Sequence, residues 1–405
     1  MTSSALSPTR ERWLLLTLAG MQFTHILDFM IMMPLGPQLT RLLAISDAQF
    51  GLLVSAYTLA AGVSGLAATT YLDRFDRKPL LLVLYALFAL ATLACGLAGG
   101  YATLMVARVA AGVFGGVLGA LVQTIVADVV PFERRGRAMG VVMSSFSVST
   151  VAGVPLSLWL ASLGGWQSPF FAIAAFSGVL VLGAWASLPP LRQHLASGLA
   201  QSPWRSIGLV LKDRNHQRAF LFSGAMMFTG FTVIPYITIY MQANVGLSDA
   251  QVPFIYLCGG VATLLTARLF GRLADRLGKV RLFGWTAAAV AVPMVTTTLM
   301  GVWPLWAVLC VSTSMFVLMS GRMIPGMAIV SAAADPGFRG VFMAFNAAVQ
   351  SAAMGLAAFL GGLIISRSPA GQVQHYWLAA VLGVAVGWGS IWLSRRLKLH
   401  GAQPA

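Results

Sequence analysis

Two loop sequences decide the architecture of this chain: GRLADRLGK at residues 271–279 and TTYLDRFDRK at residues 69–78. Each follows a long apolar segment, and each contains the pattern Asp-Arg-x-x-Arg/Lys. A second pair of loops, which begin at Asp128 and Asp335, shares the order aspartate, proline, arginine, glycine. This repetition indicates two similar halves, a pattern typical of membrane proteins that bind a solute between repeated bundles.

The composition places both halves in a membrane. Of the 405 residues, 58% are hydrophobic and 9% are charged, whereas soluble domains carry about 25% charged residues. Apolar runs of about 20 residues are long enough to cross ~30 Å of hydrocarbon as helices. The first run is too long for a secretory signal, so we interpret it as a membrane helix. The sequence predicts an all-α integral membrane protein with twelve transmembrane helices, at 13–35, 48–71, 79–99, 102–127, 138–161, 168–188, 219–243, 250–271, 280–301, 304–330, 339–366 and 373–394.

The basic residues predict the orientation of these helices. They cluster in alternate loops and at both termini, whereas the intervening loops hold only Arg41 and Arg367. The positive-inside rule places the basic loops and both termini in the cytoplasm. The formal net charge of +15 is therefore interpreted as a topology signal with some affinity for the lipid bilayer, and nucleic acid is not an expected partner.

The longest polar stretch, residues 189–218, divides the segments into six and six. It is rich in proline, glycine and basic residues, as a linker is. The sequence thus predicts an N-terminal six-helix bundle at 1–188, a cytoplasmic linker at 189–218 and a C-terminal six-helix bundle at 219–405.

These motifs resemble the major facilitator superfamily over nearly the whole chain. Residues 271–279 match the family's cytoplasmic signature closely, and residues 69–78 match it less well, with Thr69 and Asp76 where glycine is usual. LMVARVAAG, residues 104–112, resembles the fourth-helix motif of proton-coupled members. The resemblance is greatest to the twelve-helix drug:proton antiporters and bacterial sugar-efflux permeases. It implies a monomeric transporter of small molecules in the bacterial inner membrane, with two pseudo-symmetric six-helix bundles.

The fifth segment departs from the antiporter pattern. The family motif ends in Gly-Pro-x-x-Gly-Gly, whereas this chain has Gly153-Val154-Pro155 and then Leu158-Trp159 in place of the paired glycines. A proton-coupled exporter is the first hypothesis. A symporter or facilitated carrier, including one for an amphipathic lipid, and a non-transporting membrane sensor are the alternatives.

Asp28 is the acid that lies deep inside an apolar segment. A charge there costs roughly 2.5–3.5 kcal/mol on insertion scales, so such residues usually mark function. His25 shares its helical face, and Arg108 lies at a similar depth, about 28 Å against about 22 Å from the basic ends of their helices. We predict that Arg108 pairs with Asp28, that Asp28 takes up and releases the proton, and that His25 relays it. The alternative is a structural hydrogen bond that fixes helix packing.

A second buried cation, Arg322, is predicted to contact the substrate. Its alternatives are a pair with Asp28 across the two halves and hydrogen bonds to helix-end carbonyl groups. Other polar or adaptable side chains are expected along a central cavity, which suits an amphipathic ligand. The predicted substrate-binding residues are Arg322, Tyr236, Tyr240, Asn346, Gln350 and Met33. For the tyrosines and amides, the alternative is a hydrogen bond between helices or a tyrosine at the membrane interface, and for Met33 it is apolar packing.

The charged loops are predicted to act as gates, because the resemblance implies that they bridge helix ends when the cytoplasmic side is shut. Exposed ion pairs are worth only ~0–1 kcal/mol each, which suits a contact that breaks in every cycle. A role in topology alone is the alternative. The predicted gating residues are Asp73, Arg77, Asp128, Arg135, Asp275, Arg276 and Arg339.

Other classes of function lack support in the sequence. The motifs GxxxxGK[ST], HExxH and GxSxG do not occur, so neither ATP-driven transport nor hydrolysis is expected. The three cysteines lie apart within apolar runs, and no metal or cofactor site is predicted.

Overall fold

We describe a computed structural model that covers residues 8–130, 132–188, 191, 203–335 and 338–400. Within these residues, twelve helical stretches are long and apolar enough to cross a membrane. They are numbered spans 1 to 12 in chain order. Their helices are Pro8–Ile31 followed by Gly36–Leu42, Asp47–Ala68, Arg77–Gly96, Tyr101–Val129, Phe132–Val148 followed by Val154–Gly164, Ser168–Ser187, Arg214–Phe231 followed by Ile237–Ala243, Val252–Leu277, Lys279–Ala289 followed by Ala291–Leu299, Leu305–Ala333, Arg339–Ile364 and Tyr376–Ser394. The twelve predicted segments are confirmed, with ends that differ by several residues.

Local sequence explains where several spans begin or bend. Span 2 starts with a capping box, because the Ser46 and Gln49 side chains each bond the other residue's backbone N–H. Span 5 contains a π-helical turn at Ser149–Gly153, just before Pro155, which has no N–H to donate to the helix. Span 7 is interrupted by a 3₁₀ turn at Ile234–Tyr236, where Pro235 has the same effect.

The two halves share one apolar cluster, which lies toward one end of the molecule. We call the end with the loops around residues 69–78 and 271–279 the basic end, and the opposite end the far end. The largest apolar cluster lies toward the far end and joins residues of both halves, for example Met33, Phe50, Tyr240 and Ala358. Two further clusters lie toward the basic end, and their described residues come from one half each. The halves are therefore packed together at the far end and have separate apolar cores at the basic end.

The outer faces of the bundles are apolar. For example, the exposed fraction is 72% for Val63, 72% for Leu265 and 69% for Trp185. Burial in lipid removes the cost of exposing such side chains to water.

Two features lie outside the spans. A helix at Pro203–Lys212 lies within the predicted linker, and span 7 already begins at Arg214. Residues 189, 190 and 192–202 are outside the described residues, so the exact domain boundaries stay a prediction. At the far end, Ser366–Arg367 and Val373–Gln374 form a short antiparallel hairpin between spans 11 and 12.

Candidate functional site

Asp28 and Arg108 form a buried ion pair between spans 1 and 4. Arg108 Nη1 donates to Asp28 Oδ2 at 2.9 Å, and both side chains are 0% exposed. Thr92 of span 3 donates to the other carboxylate oxygen at 3.2 Å. The predicted pairing of Asp28 with Arg108 is therefore confirmed as a contact. The carboxylate has a partner on each oxygen, and each partner comes from a different span.

Several polar atoms of spans 1, 2 and 4, on the same helices as this pair or next to it, have no hydrogen-bond partner among the described residues. They are Gln22 Oε1, His25 Nδ1, Tyr57 OH, and Nε and Nη2 of Arg108, all of them buried. The Tyr57 ring also lies 4.3 Å from the Arg108 guanidinium carbon, which is a cation–π contact. Because buried polar atoms are almost always satisfied, this cluster is suited to hold water or a polar ligand beside the ion pair.

A glycine of span 4 makes this convergence possible. A Cβ at Gly115 would lie 2.7 Å from Tyr57 OH and 2.9 Å from His25 Cδ2, closer than real Cβ atoms come to their neighbours. Sequence reasoning placed His25 near Asp28 but missed Tyr57. The available signal was a tyrosine in the middle of an apolar segment, far from the membrane interface where tyrosines are common.

Arg322 of span 10 lies apart from this pair. Its side chain is buried, and its Nη2 donates to the Met226 carbonyl oxygen of span 7 at 2.8 Å. Its Nε and Nη1 have no partner in the described part of the chain. The alternatives for Arg322 are an ion pair with Asp28 and hydrogen bonds to helix-end carbonyl groups. In the structure, Asp28 pairs with Arg108 and not with Arg322. Arg322 does bind a backbone carbonyl group, but this group lies inside a helix. The predicted contact of Arg322 with substrate stays a prediction.

The predicted aromatic binding residues lie in the closed far end. Tyr236 OH donates to the carbonyl oxygen of Ala358, and Tyr240 OH donates to that of Met300 at 2.7 Å. Met33 is buried in the apolar cluster that joins the two halves. In this conformation none of the three is free to contact a solute.

The predicted amide residues of span 11 differ from each other. Asn346 is buried and accepts a hydrogen bond from Ser223 of span 7 at 2.5 Å, so it links two helices of the second half. Gln350, one turn further on, is half-buried, and its Nε2 lies 3.4 Å from Met327 Sδ. Gln350 therefore keeps polar capacity for a ligand, whereas the described bond of Asn346 is structural.

The residues predicted to act as gates lie at the basic end. Arg77 is buried and forms an ion pair with Asp128 of span 4, within the first half. Asp275, Arg276 and Arg339 are exposed. The side chains of Asp73 and Arg135 lie outside the described part of the structure.

The far end is closed by contacts that sequence reasoning missed. Arg367 binds both carboxylate oxygens of Asp47 through Nε and Nη2, each at 2.8 Å. This pairing raises the pKa of Arg367, mainly through hydrogen bonds to Asp47, so the arginine stays charged at physiological pH. Ser55 of span 2 donates to the Gly355 carbonyl of span 11 at 2.6 Å. The two halves are therefore joined by an ion pair and by a direct contact between spans 2 and 11.

Glycines permit this contact between spans 2 and 11. A Cβ at Gly51 would lie 2.8 Å from Ala358 O, and a Cβ at Gly362 would lie 2.7 Å from Asp47 O. Any larger residue at either position would force the two helices apart.

Among the described residues, twelve helices of membrane-spanning length in two like halves, with buried arginines inside the spans, define a polytopic membrane protein. The sequence model described as Major Facilitator Superfamily matches residues 18–234 and again residues 219–405. The chain therefore belongs to the Major Facilitator Superfamily and is a small-molecule transporter that works by alternating access. The predicted family, fold and location as a multi-pass protein of the bacterial inner membrane are confirmed.

Curated relatives are identical to this chain at about a quarter of the aligned positions. The chain is 26% identical to the uncharacterized MFS-type transporter YfhI of Bacillus subtilis, over 64% of this chain and 67% of that protein. It is 25% identical to the inner membrane transport protein YdhP of Escherichia coli, over 60% and 62% of the two chains. It is also 25% identical to a probable sugar efflux transporter of Helicobacter pylori, over 56% and 57%. These matches span about two thirds of the relatives' lengths or less.

Solved structures share the fold at lower identity. A bacterial homologue of the human lysosomal transporter Spinster, inward-facing and occupied, superimposes with a TM-score of 0.77 at 16% identity, over 97% of this chain and 98% of that chain. A D-xylose-proton symporter superimposes with a TM-score of 0.77 at 18% identity, over 96% and 98%. At these identities the likeness concerns the fold alone.

Proposed function

We propose that the protein is a proton-coupled exporter of a small organic or amphipathic solute. The observation that carries this proposal is the fully buried ion pair between Asp28 and Arg108. An ionised pair without contact to water is costly unless it is well bonded, and intramembrane acids mark proton and substrate paths. Protonation of Asp28 removes its negative charge and weakens its bond to Arg108, so the packing of spans 1, 3 and 4 depends on the proton.

The orientation follows from the basic loops. If the basic end faces the cytoplasm, as the positive-inside rule predicts, the packed far end faces the periplasm. In that orientation the ion pair of Asp47 and Arg367 lies on the periplasmic side, and we assign this packed arrangement to the inward-facing state of the proposed cycle. In the proposed cycle, solute enters from the cytoplasm and a proton reaches Asp28 from the periplasm after the far end opens. His25, three residues before Asp28, passes the proton along the same helical face.

Proton release upon solute binding tests this proposal. Purified protein in weakly buffered detergent solution is mixed with a panel of monosaccharides, disaccharides, aryl carboxylates and their amides, and lipophilic cations. An antiporter whose solute and proton compete should release protons when a member of the panel binds. Binding detected by calorimetry without any proton release would contradict the proposal.

The sequence and helix geometry of span 5 favour a second candidate function, that of a symporter or facilitated carrier. The position of the antiporter motif is occupied by the π-helical turn Ser149–Gly153 and Pro155, without the paired glycines of that motif. Proteoliposomes with an imposed pH gradient distinguish the two candidates, because the gradient drives solute against the proton flux in an antiporter and with it in a symporter.

The two halves differ in how firmly the gating carboxylates are held. The Arg77–Asp128 pair lies within one half and is partly buried, with side chains that are 7% and 35% exposed. Asp128→Asn should therefore destabilise the protein by about 1–3 kcal/mol, between the values for exposed and buried pairs. The exposed Asp275 is proposed to bond only when the basic end is shut, so Asp275→Asn should leave stability unchanged and increase the inward-facing population. Thermal unfolding in detergent checks the first effect, and spin-label distances between the halves check the second. Equal melting temperatures for the two variants, or unchanged distances in Asp275→Asn, would show that these roles are misassigned.

A further inference from the structure

Arg322 is a buried cation without a counterion among the described residues. Its side chain is only 2% exposed, and its hydrogen bond in the structure goes to the neutral carbonyl group of Met226. Two of its nitrogen atoms, Nε and Nη1, have no acceptor. A charged side chain in such a place is costly unless something compensates for it.

The two buried arginines of the spans therefore differ. Arg108 is neutralised by Asp28, and this pair uses the deep carboxylate of the chain. The described acids of the second half, Asp213, Asp249, Asp275 and Asp335, lie at helix ends or in loops. Within the part of the chain that the structure describes, no carboxylate pairs with Arg322, so the interior of the second half carries an uncompensated positive charge.

The surroundings of Arg322 are apolar and rich in methionine. Met226 accepts the hydrogen bond of Arg322 through its backbone carbonyl oxygen. Met319 Cε and Arg322 Nη2 both border Gly230 of span 7, where a Cβ would lie 3.4 Å from the first atom and 3.5 Å from the second. Methionine side chains adapt to ligands of different shape and contact aromatic rings favourably. A ligand that fits here combines an anionic group with an apolar or aromatic body.

Helix geometry at this position is also less constrained than elsewhere in span 10. Pro325, three residues after Arg322, lies inside the helix and has no N–H for the carbonyl oxygen of Gly321. Prolines of this kind allow a helix to bend. Span 10 can thus open beside Arg322 without the loss of a further helical hydrogen bond.

We infer that Arg322 binds the carboxylate of an amphipathic monoanion, and that this class of solute is the substrate. The inference rests on the proposed transport function and names its substrate class. A carboxylate accepts two N–H groups of a guanidinium at once, with charge-assisted bonds, and it brings the single negative charge that the site lacks. A lipophilic cation would instead add a second positive charge, and a neutral sugar would leave the first one uncompensated.

Matched pairs of probes test this inference on the purified full chain. The probes are 4-phenylbutyrate with 4-phenylbutyramide, and indole-3-acetate with indole-3-acetamide, each measured by titration calorimetry. At least one carboxylate should bind roughly tenfold or more tightly than its amide, as expected for hydrogen bonds to a charged group. Arg322→Gln should remove this preference, and Arg322→Lys should keep part of it, because lysine retains the charge and loses the planar fork.

The matched control is Arg268→Gln, which removes the same charge from an exposed position of span 8 and should leave the preference unchanged. Arg322→Gln without ligand should melt no lower than the wild type, because it removes an unpaired buried charge. This result separates a lost contact from a lost fold. The inference is overturned if no carboxylate binds better than its amide, or if the preference survives in Arg322→Gln.

Transport measurements separate this inference from the proposed function. If the wild type moves both members of a pair equally under a pH gradient, proton coupling stands and the substrate class is wrong. If the carboxylate preference depends on Arg322 but a pH gradient drives no transport, the substrate class stands and proton coupling is wrong.

Discussion

Asp28→Asn is expected to abolish gradient-driven transport while solute exchange across the membrane at equal pH continues. Asparagine keeps the shape of the side chain and can accept a hydrogen bond from Arg108, but it cannot take up a proton. The alternating-access cycle with solute bound needs no titratable group, so exchange of labelled for unlabelled solute should persist. Proteoliposomes measure both activities on one preparation, and accumulation in the variant should fall to the level of protein-free vesicles.

The control for Asp28→Asn addresses folding. The variant leaves Arg108 as an unpaired buried charge, and breaking such a pair costs about 3–5 kcal/mol. The double variant Asp28→Asn with Arg108→Gln removes both charges and should recover thermal stability without recovering gradient-driven transport. Uphill accumulation by either variant would show that Asp28 has a structural role and that another group carries the proton.

Gly51→Val is expected to open the far end. The added side chain meets the Ala358 carbonyl oxygen and the Tyr236 hydroxyl, so spans 2 and 11 can no longer pack in the present conformation. The population should shift to the state in which these helices are apart, which is outward-facing in the proposed orientation. Distances between spin labels on the far ends of spans 2 and 11 should lengthen by several ångström, and solute exchange should slow because one state is disfavoured.

The control for Gly51→Val is the same substitution at a glycine of another transmembrane helix that has open space around it. At Gly178 of span 6, no neighbouring atom lies within 4 Å of the position that a Cβ would occupy, so Gly178→Val should leave the distances unchanged. Arg367→Gln should give a weaker shift in the same direction as Gly51→Val, because Arg367 is 38% exposed and its ion pair is partly screened. If Gly51→Val keeps the wild-type distances, the closure does not depend on this helix contact.

The sequence was sufficient to predict the spans and the pairing of Asp28 with Arg108. Apolar runs of membrane length are local signals, and a charge inside such a run needs a partner at similar depth, which leaves few candidates. The contacts of Asp47 with Arg367 could not be predicted in this way. Both residues lie at segment ends, where charges meet lipid headgroups and water, and their pairing depends on how the two halves are oriented.

Tyr57 and Tyr236 illustrate the same limit. A tyrosine in an apolar segment has several equivalent interpretations, and its partner is set by the helix that packs against it. In both cases that helix brings a glycine close to the hydroxyl group: Gly115 for Tyr57, and Gly362 for Tyr236. Glycines in apolar segments indicate close helix approach, but which span approaches is visible only in the structure.

Because the chain is synthesised from its N-terminus, these contacts can form only at different times. Asp28 and Arg108 both belong to the first four spans, so a growing chain can neutralise this acid before its second half has entered the membrane. Asp47 must wait for Arg367, 320 residues later, and Ser55 must wait for Gly355, 300 residues later. During most of synthesis, the glycine-lined face of span 2 therefore lacks its partner helix, and the contact between the halves forms only after span 11 and the hairpin that follows it have been made.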